Sequence, residues 1–145
     1  MFDFGCHRIE VLLDLLGPVR GVTSMVGNVA FKRPVEDTAI AVLEFARGGY
    51  ATLSVTHAAR EPQDTLTIFG TGGSIHVESL NAGTIRVRRG SHEDVESLPP
   101  HANLHQPLIE EFTASVMAKR VPAVPGEIGR AVAMVEEQIY AVRGD

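Results

Sequence analysis

Apolar residues in this chain repeat with a helical period at both ends and with a period of two in between. Over residues 4–16, Cys6, Ile9, Leu12, Leu13 and Leu16 recur three and four apart, which predicts a helix with one buried stripe. Gly17-Pro18 supplies its stop, because glycine accepts a left-handed cap and proline cannot continue the ladder. Asp3, His7, Glu10 and Asp14 fall on the other side at i, i+4, i+7 and i+11, as one polar stripe.

From Val19 the alternation shortens. Residues 19–30 are rich in β-branched side chains and predict a strand interrupted at Gly21 and Gly27. Residues 38–45 and 50–56 predict a hairpin around Arg47-Gly48-Gly49. Residues 65–69 alternate again, with Leu66 and Ile68 against Thr65 and Thr67. Residues 75–78 and 84–88 follow, joined through Asn81-Ala82-Gly83, with Ile75, Val77, Ile85 and Val87 inward and His76, Arg86 and Arg88 outward. Such alternation calls for a largely antiparallel sheet with one apolar and one polar face.

The chain then turns helical. Asn103 and Gln106 have capping-box spacing, Pro107 suits a first turn, and Leu108, Ile109, Phe112 and Val116 are the expected buried stripe of a helix ending near Lys119-Arg120. After Pro122 and Pro125-Gly126, a final helix is expected to bury Ile128, Val132, Val135, Ile139 and Val142. The sum is an α+β class: an open, largely antiparallel sheet of about six strands with helices over one face. Residues 1–145 read as a single domain, with residues 91–102 as the irregular loop.

Composition narrows the function classes. The net charge of -5 and pI of about 5.6 offer no basic face to nucleic acid or to an anionic membrane. The apolar run at residues 11–16 is broken by Asp14 and is far too short to span a bilayer. One cysteine, Cys6, cannot close an internal disulfide, which fits a reducing, cytoplasmic setting. Met1-Phe2-Asp3 enters the first helix with no leading strand, so the chain is expected to be a piece of a longer protein.

Asp3 and His7 are the foremost chemical candidates. Four residues apart at the start of a helix, a carboxylate can orient an imidazole and favour its charged form, which suits a general base near neutral pH. On spacing alone, Asp3 as a plain N-cap and His7 as a half-buried helix residue remain open. Phe69-Gly70-Thr71-Gly72-Gly73-Ser74 has the glycines of a phosphate loop, but Ile75-His76-Val77-Glu78 continues as strand, so a hairpin turn is expected. His92, His101 and His105 permit a metal-binding alternative, though no cysteine pair or HExxH pattern supports it. Cys6 reads as core, and Glu36-Asp37 as a turn or a buried ion-pair partner.

Taken in order, these segments resemble one family. Asp3-Phe4-Gly5-Cys6-His7-Arg8-Ile9-Glu10 with Leu16-Gly17 is similar to the D-x-G-x-H-x-I-D…L-x-G segment of the glucose–fructose oxidoreductase/inositol dehydrogenase/MocA group. Val35-Glu36-Asp37-Thr38-Ala39, Gly48-Gly49-Tyr50-Ala51 and Leu66-x-Ile68-x-Gly70-x-x-Gly73-Ser74-Ile75 resemble its next landmarks. Ile109-x-x-Phe112, Pro122, Pro125-Gly126 and Glu137-x-x-Tyr140 resemble its closing helices. Glu10 stands where the family usually has Asp, and the family's lysine in an E-K-P motif has no counterpart here.

The resemblance implies the substrate-side C-terminal domain of an oxidoreductase using NAD or NADP, whose nucleotide-binding Rossmann domain lies outside this chain. It implies a sugar, polyol or similar substrate, with His7 exchanging a proton with the substrate hydroxyl while hydride passes to or from the nicotinamide. Asp3 would orient substrate or imidazole. It also implies a homo-oligomer built on the sheet face, no cofactor held by this chain alone, and no turnover in isolation. A free-standing sugar-binding or dimerisation module of the same fold is the alternative.

Overall fold

The computed structural model describes residue 1 and residues 3–141; Val142, the last member of the expected final stripe, lies outside the described residues. The chain forms two compact units, Met1–Ala59 with Val124–Asp145, and Arg60–Ala123.

In the first unit, helix α1 (Gly5–Leu16) buries Ile9 and Leu12, as its period requires. It ends at Gly17, whose φ of 86° lets its N–H return to the Leu13 carbonyl at 2.9 Å. Strands β1 (Val19–Gly27), β2 (Thr38–Phe45) and β3 (Tyr50–Thr56) form an antiparallel sheet in the order β1-β2-β3. β2 and β3 make the expected hairpin, with Gly48 and Gly49 at φ 92° and 96° in the turn. Ala39, Ala41, Leu43 and Phe45 alternate inward along β2 and are fully buried, whereas Ile40 and Val42 face out. Helix α3 (Gly126–Ala141) buries Val132, Val135 and Ile139 and packs on α1 and β1, while α1 also meets β3. The Ser24 hydroxyl on β1 donates to the Ile139 carbonyl at 2.5 Å and ties strand to helix.

The connection between β1 and β2 is held by Asp37, which is 3% exposed. Its carboxylate accepts backbone N–H bonds from Val29, Ala30 and Phe31 at 2.7–2.8 Å and a hydroxyl bond from Thr38 at 3.0 Å. Burial alone would raise its pKa, but bonds from Phe31, Val29, Ala30 and Thr38 prevail and hold it at about 2. Glu36 beside it receives the Met1 ammonium at 2.6 Å and the Tyr140 hydroxyl. Asp37 thus holds the turn, and Glu36 is an ion-pair partner that is half-buried rather than buried.

In the second unit, β4 (Leu66–Gly70), β5 (Gly73–Val77), β6 (Thr84–Arg89) and β7 (His92–Ser97) form an antiparallel meander in that order. The glycine-rich run is the β4–β5 turn, as expected. Gly73 has φ 151°, and a Cβ there would lie 2.1 Å from the Arg88 carbonyl oxygen, so the neighbouring strand can approach only a glycine. A short 3-10 turn at Leu80–Ala82 joins β5 to β6.

Three expectations need correction. The single sheet of about six strands is two sheets, of three and four strands. The supposed loop at residues 91–102 contains β7, an exposed edge strand whose sequence His92-Glu93-Asp94-Val95-Glu96-Ser97 carries no apolar alternation to reveal it. Helix α2 (Gln106–Met117) starts later than the capping box requires: its N-cap is His105, and Asn103 Oδ1 accepts from the His105 N–H at 3.1 Å. Gln106 bonds Glu110 at 2.7 Å instead of closing a box. Moreover Leu108, Ile109, Phe112 and Val116, the stripe expected to be buried, are 55–60% exposed. Ser115 is the buried residue of α2, with its hydroxyl donating to the Glu111 carbonyl and carboxylate.

Candidate functional site

The first unit contains a cavity of about 270 Å³ walled by α1 and α3. α1 contributes Cys6, His7 and Glu10; α3 contributes Ile128, Val132 and Glu136. The placement follows from local structure. The buried stripe of α1 leads with Ile9 and Leu12, so Cys6 and Glu10 sit half-buried at its margin and His7 stands exposed beside them. Among the described residues, no hydrogen bond or ion pair engages His7.

Asp3 lies ahead of the first helical residue, in the turn entering α1. Its carboxylate is exposed and stands 3.7 Å from the Nε2 of His57, just beyond the end of β3, and no pairing joins it to His7 among the described residues. His57 is further held by its ring lying 4.8 Å from that of Phe4, and by its N–H donating to the Asp37 carbonyl at 2.8 Å. Sequence reasoning missed His57 because fifty-odd residues separate it from Asp3, and only strand order brings the two together.

Glu136 was missed as well. It is 4% exposed and its Oε1 has no hydrogen-bond partner among the described residues. Burial pushes its carboxyl pKa up, against a smaller opposing effect of the Met1 ammonium. The signal was in the sequence: Glu136 follows Val132 by four and Ile128 by eight, on the stripe expected to be apolar.

The remaining candidates stay apart. Cys6 is half-buried, and its thiol lies 3.5 Å from the Asp3 carbonyl. His92 pairs with Asp94 at 3.0 Å, and the His101 ring accepts the Asn103 N–H at 3.2 Å. Among the described residues, no group of three or more His, Cys, Asp or Glu is placed to hold a metal ion. A larger depression of about 410 Å³ lies on the second unit's sheet, beside His76, Arg86 and Arg88. There Glu93 pairs with Arg88 at 2.5 Å and Arg86 at 3.4 Å, so its arginines are already engaged. No described helix is long and apolar enough to cross a membrane.

Comparison with known proteins fits this geometry to a family. The profile described as GFO/IDH/MocA C-terminal domain matches residues 1–76, more than half of the chain. A UDP-N-acetylglucosamine 3-dehydrogenase from Acidithiobacillus ferrooxidans superposes with a TM-score of 0.83 at 25% identity, over 97% of this chain and 45% of that one. An aldose-aldose oxidoreductase from Caulobacter crescentus, complexed with glycerol, gives 0.81 at 20% identity, over 97% and 44%. A biliverdin reductase from Synechocystis sp. PCC 6803, in complex with biliverdin and NADP+, gives 0.81 at 18% identity, over 97% and 45%. No curated protein matches the sequence. This chain thus spans less than half the length of each solved structure. On the match over residues 1–76, the chain belongs to the GFO/IDH/MocA C-terminal domain family.

Proposed function

We propose that this chain is the substrate-side domain of an NAD(P)-dependent oxidoreductase acting on a CH–OH group of a sugar, polyol or related hydroxy compound. His7 exchanges a proton with the substrate hydroxyl, and Asp3 orients the substrate or an imidazole beside it. The observation that carries this reading is the position of His7: exposed, without a described partner, and on the wall of the cavity built by α1 and α3 in a chain of this family. A general base must be free to meet a proton on the ligand, and His7 is.

The cofactor is not held by these residues. A dinucleotide cradle needs glycines between a strand and a helix N-terminus, and here Gly70, Gly72 and Gly73 turn one strand into the next. NAD or NADP therefore belongs to a separate nucleotide-binding domain, which is the partner this reading requires. The outward face of the three-stranded sheet presents Met25, Ile40 and Val42, an apolar row that supports homo-oligomerisation there. The free Cys6 thiol accords with a reducing cytoplasm.

The test is a chimera in which this chain replaces the matched part of the Acidithiobacillus dehydrogenase, behind that enzyme's remaining residues. Reduction of NAD or NADP is followed against a panel of sugars and polyols. Substrate-dependent reduction that falls by about a hundredfold or more in His7→Asn is expected, the usual contribution of a general base. Reduction that is indifferent to His7→Asn would overturn the assignment.

A further inference from the structure

Two features of α3 break local rules at a cost to stability, and both lie on the cavity that holds His7. The first is Glu136, a carboxylate in the stripe formed by Val132, Val135 and Ile139. An unsatisfied buried polar group has lost its hydration with no bond to replace it. Asp37, the other buried carboxylate among the described residues, shows the contrast: its oxygens receive three backbone N–H groups and a hydroxyl. One buried carboxylate is fully satisfied, and an oxygen of the other has no partner among the described residues.

The second feature is Gly129, which also lines the cavity. A Cβ added there would meet nothing within 4 Å, so neither packing nor backbone approach demands glycine. Within a helix, glycine is less favourable than alanine. What its lack of a side chain provides is room. Sites that depart from local rules without a structural return are where function is expected.

Charge then selects the ligand. Among the described residues, the lining includes Glu10, Glu136 and His7 and no lysine or arginine. A phosphate or carboxylate would meet the carboxyl groups of Glu10 and Glu136 with no basic side chain among the described lining residues. A hydroxyl group would instead supply the donor that Glu136 lacks. We infer that the α1–α3 cavity is the subsite for the neutral, hydroxyl-bearing part of the substrate, with Glu136 accepting a hydrogen bond from a ligand hydroxyl and anionic groups of the ligand kept out. This deepens the oxidoreductase reading and rests on it for the role of His7.

Erythritol and tartrate share a four-carbon diol core and differ in their ends, neutral hydroxymethyl against carboxylate. Calorimetric titration of the 145-residue chain with each, beside Glu136→Met and Gly129→Leu, tests the inference. Erythritol is expected to bind saturably in the millimolar range and tartrate about tenfold or more weaker. Glu136→Met should weaken erythritol about fivefold, the loss of one hydrogen bond, while its thermal midpoint rises or holds. Gly129→Leu should abolish binding with the midpoint unchanged or higher, since leucine favours the helix and fills open space.

Equal binding of tartrate, unchanged binding by Glu136→Met, or no erythritol binding to the wild type would overturn the subsite. A fall in thermal midpoint in Glu136→Met would do the same, by marking the carboxylate as structural. If His7→Asn weakens erythritol and Glu136→Met does not, the subsite assignment fails while the oxidoreductase reading stands. If the subsite holds but the chimera is indifferent to His7→Asn, the failure lies in the role of His7.

Discussion

Helices α2 and α3 look alike in sequence and behave differently in the fold. Each carries apolar residues at helical spacing and follows a proline-containing segment. α3 buries Val132, Val135 and Ile139 against α1 and β1, whereas α2 leaves Leu108, Ile109, Phe112 and Val116 more than half exposed. Periodicity identifies which face of a helix is apolar. It does not say what covers that face. Within its own unit, α2 leaves that face open.

The sharpest way to break that contrast is to truncate one residue on each helix. Ile139→Ala, at a fully buried position, should cost about 2–5 kcal/mol in urea denaturation. Phe112→Ser on the exposed stripe should stay within about 0.5 kcal/mol of wild type. A comparable loss in both would mean that the α2 face is covered in solution.

Gly73→Ala examines a different packing constraint, in the second unit. The added methyl has the Arg88 carbonyl in its way, and the positive φ adds strain, so a loss of about 1–3 kcal/mol is expected. Gly48→Ala, where a Cβ would meet nothing within 4 Å, is the matched control, strained by its φ of 92° but free of a clash, and should cost less.

The two buried carboxylates give opposite pH limbs. Asp37 is held at about 2, against 3.8 for an ordinary carboxyl, so its contribution is complete above the higher value. That contribution should be lost as pH falls from about 4 towards 2. Asp37→Asn should therefore flatten the acid side of a plot of thermal midpoint against pH. Glu136 is shifted up, so its folded form holds the proton more tightly and stability falls as pH rises through its pKa. Glu136→Met should flatten that opposite limb, and a variant that steepens it would contradict the burial argument.

Much of the fold was legible because local rules and tertiary packing agree there. The Arg47-Gly48-Gly49 hairpin, the inward alternation of Ala39, Ala41, Leu43 and Phe45, and the stop at Gly17 all follow from chain chemistry that the fold has no reason to override. The misses have separate causes. β7 is an edge strand of polar residues, so nothing in His92-Glu93-Asp94-Val95-Glu96-Ser97 marks it apart from its pairing with β6. The division into two sheets depends on long-range geometry that alternation does not encode.

The site was half legible. His7 and Glu10 share the polar margin of α1 and do reach one cavity. Asp3 was read as a partner for the nearest imidazole in sequence, and the chain brings it His57 instead. Glu136 was hidden by its type, since a glutamate is ordinarily solvated, and only its spacing from Val132 and Ile128 puts it on the stripe expected to be apolar. Perturbed, unsatisfied groups of this kind are where sequence pattern and function part company.

On the proposed reading, His7 faces bound substrate. The most direct measurement follows the imidazole resonances of the chain by NMR while erythritol is added. A saturable movement of the His7 signals is expected, with those of His92 and His101 unmoved. Movement of the His92 or His101 signals with His7 still would contradict it.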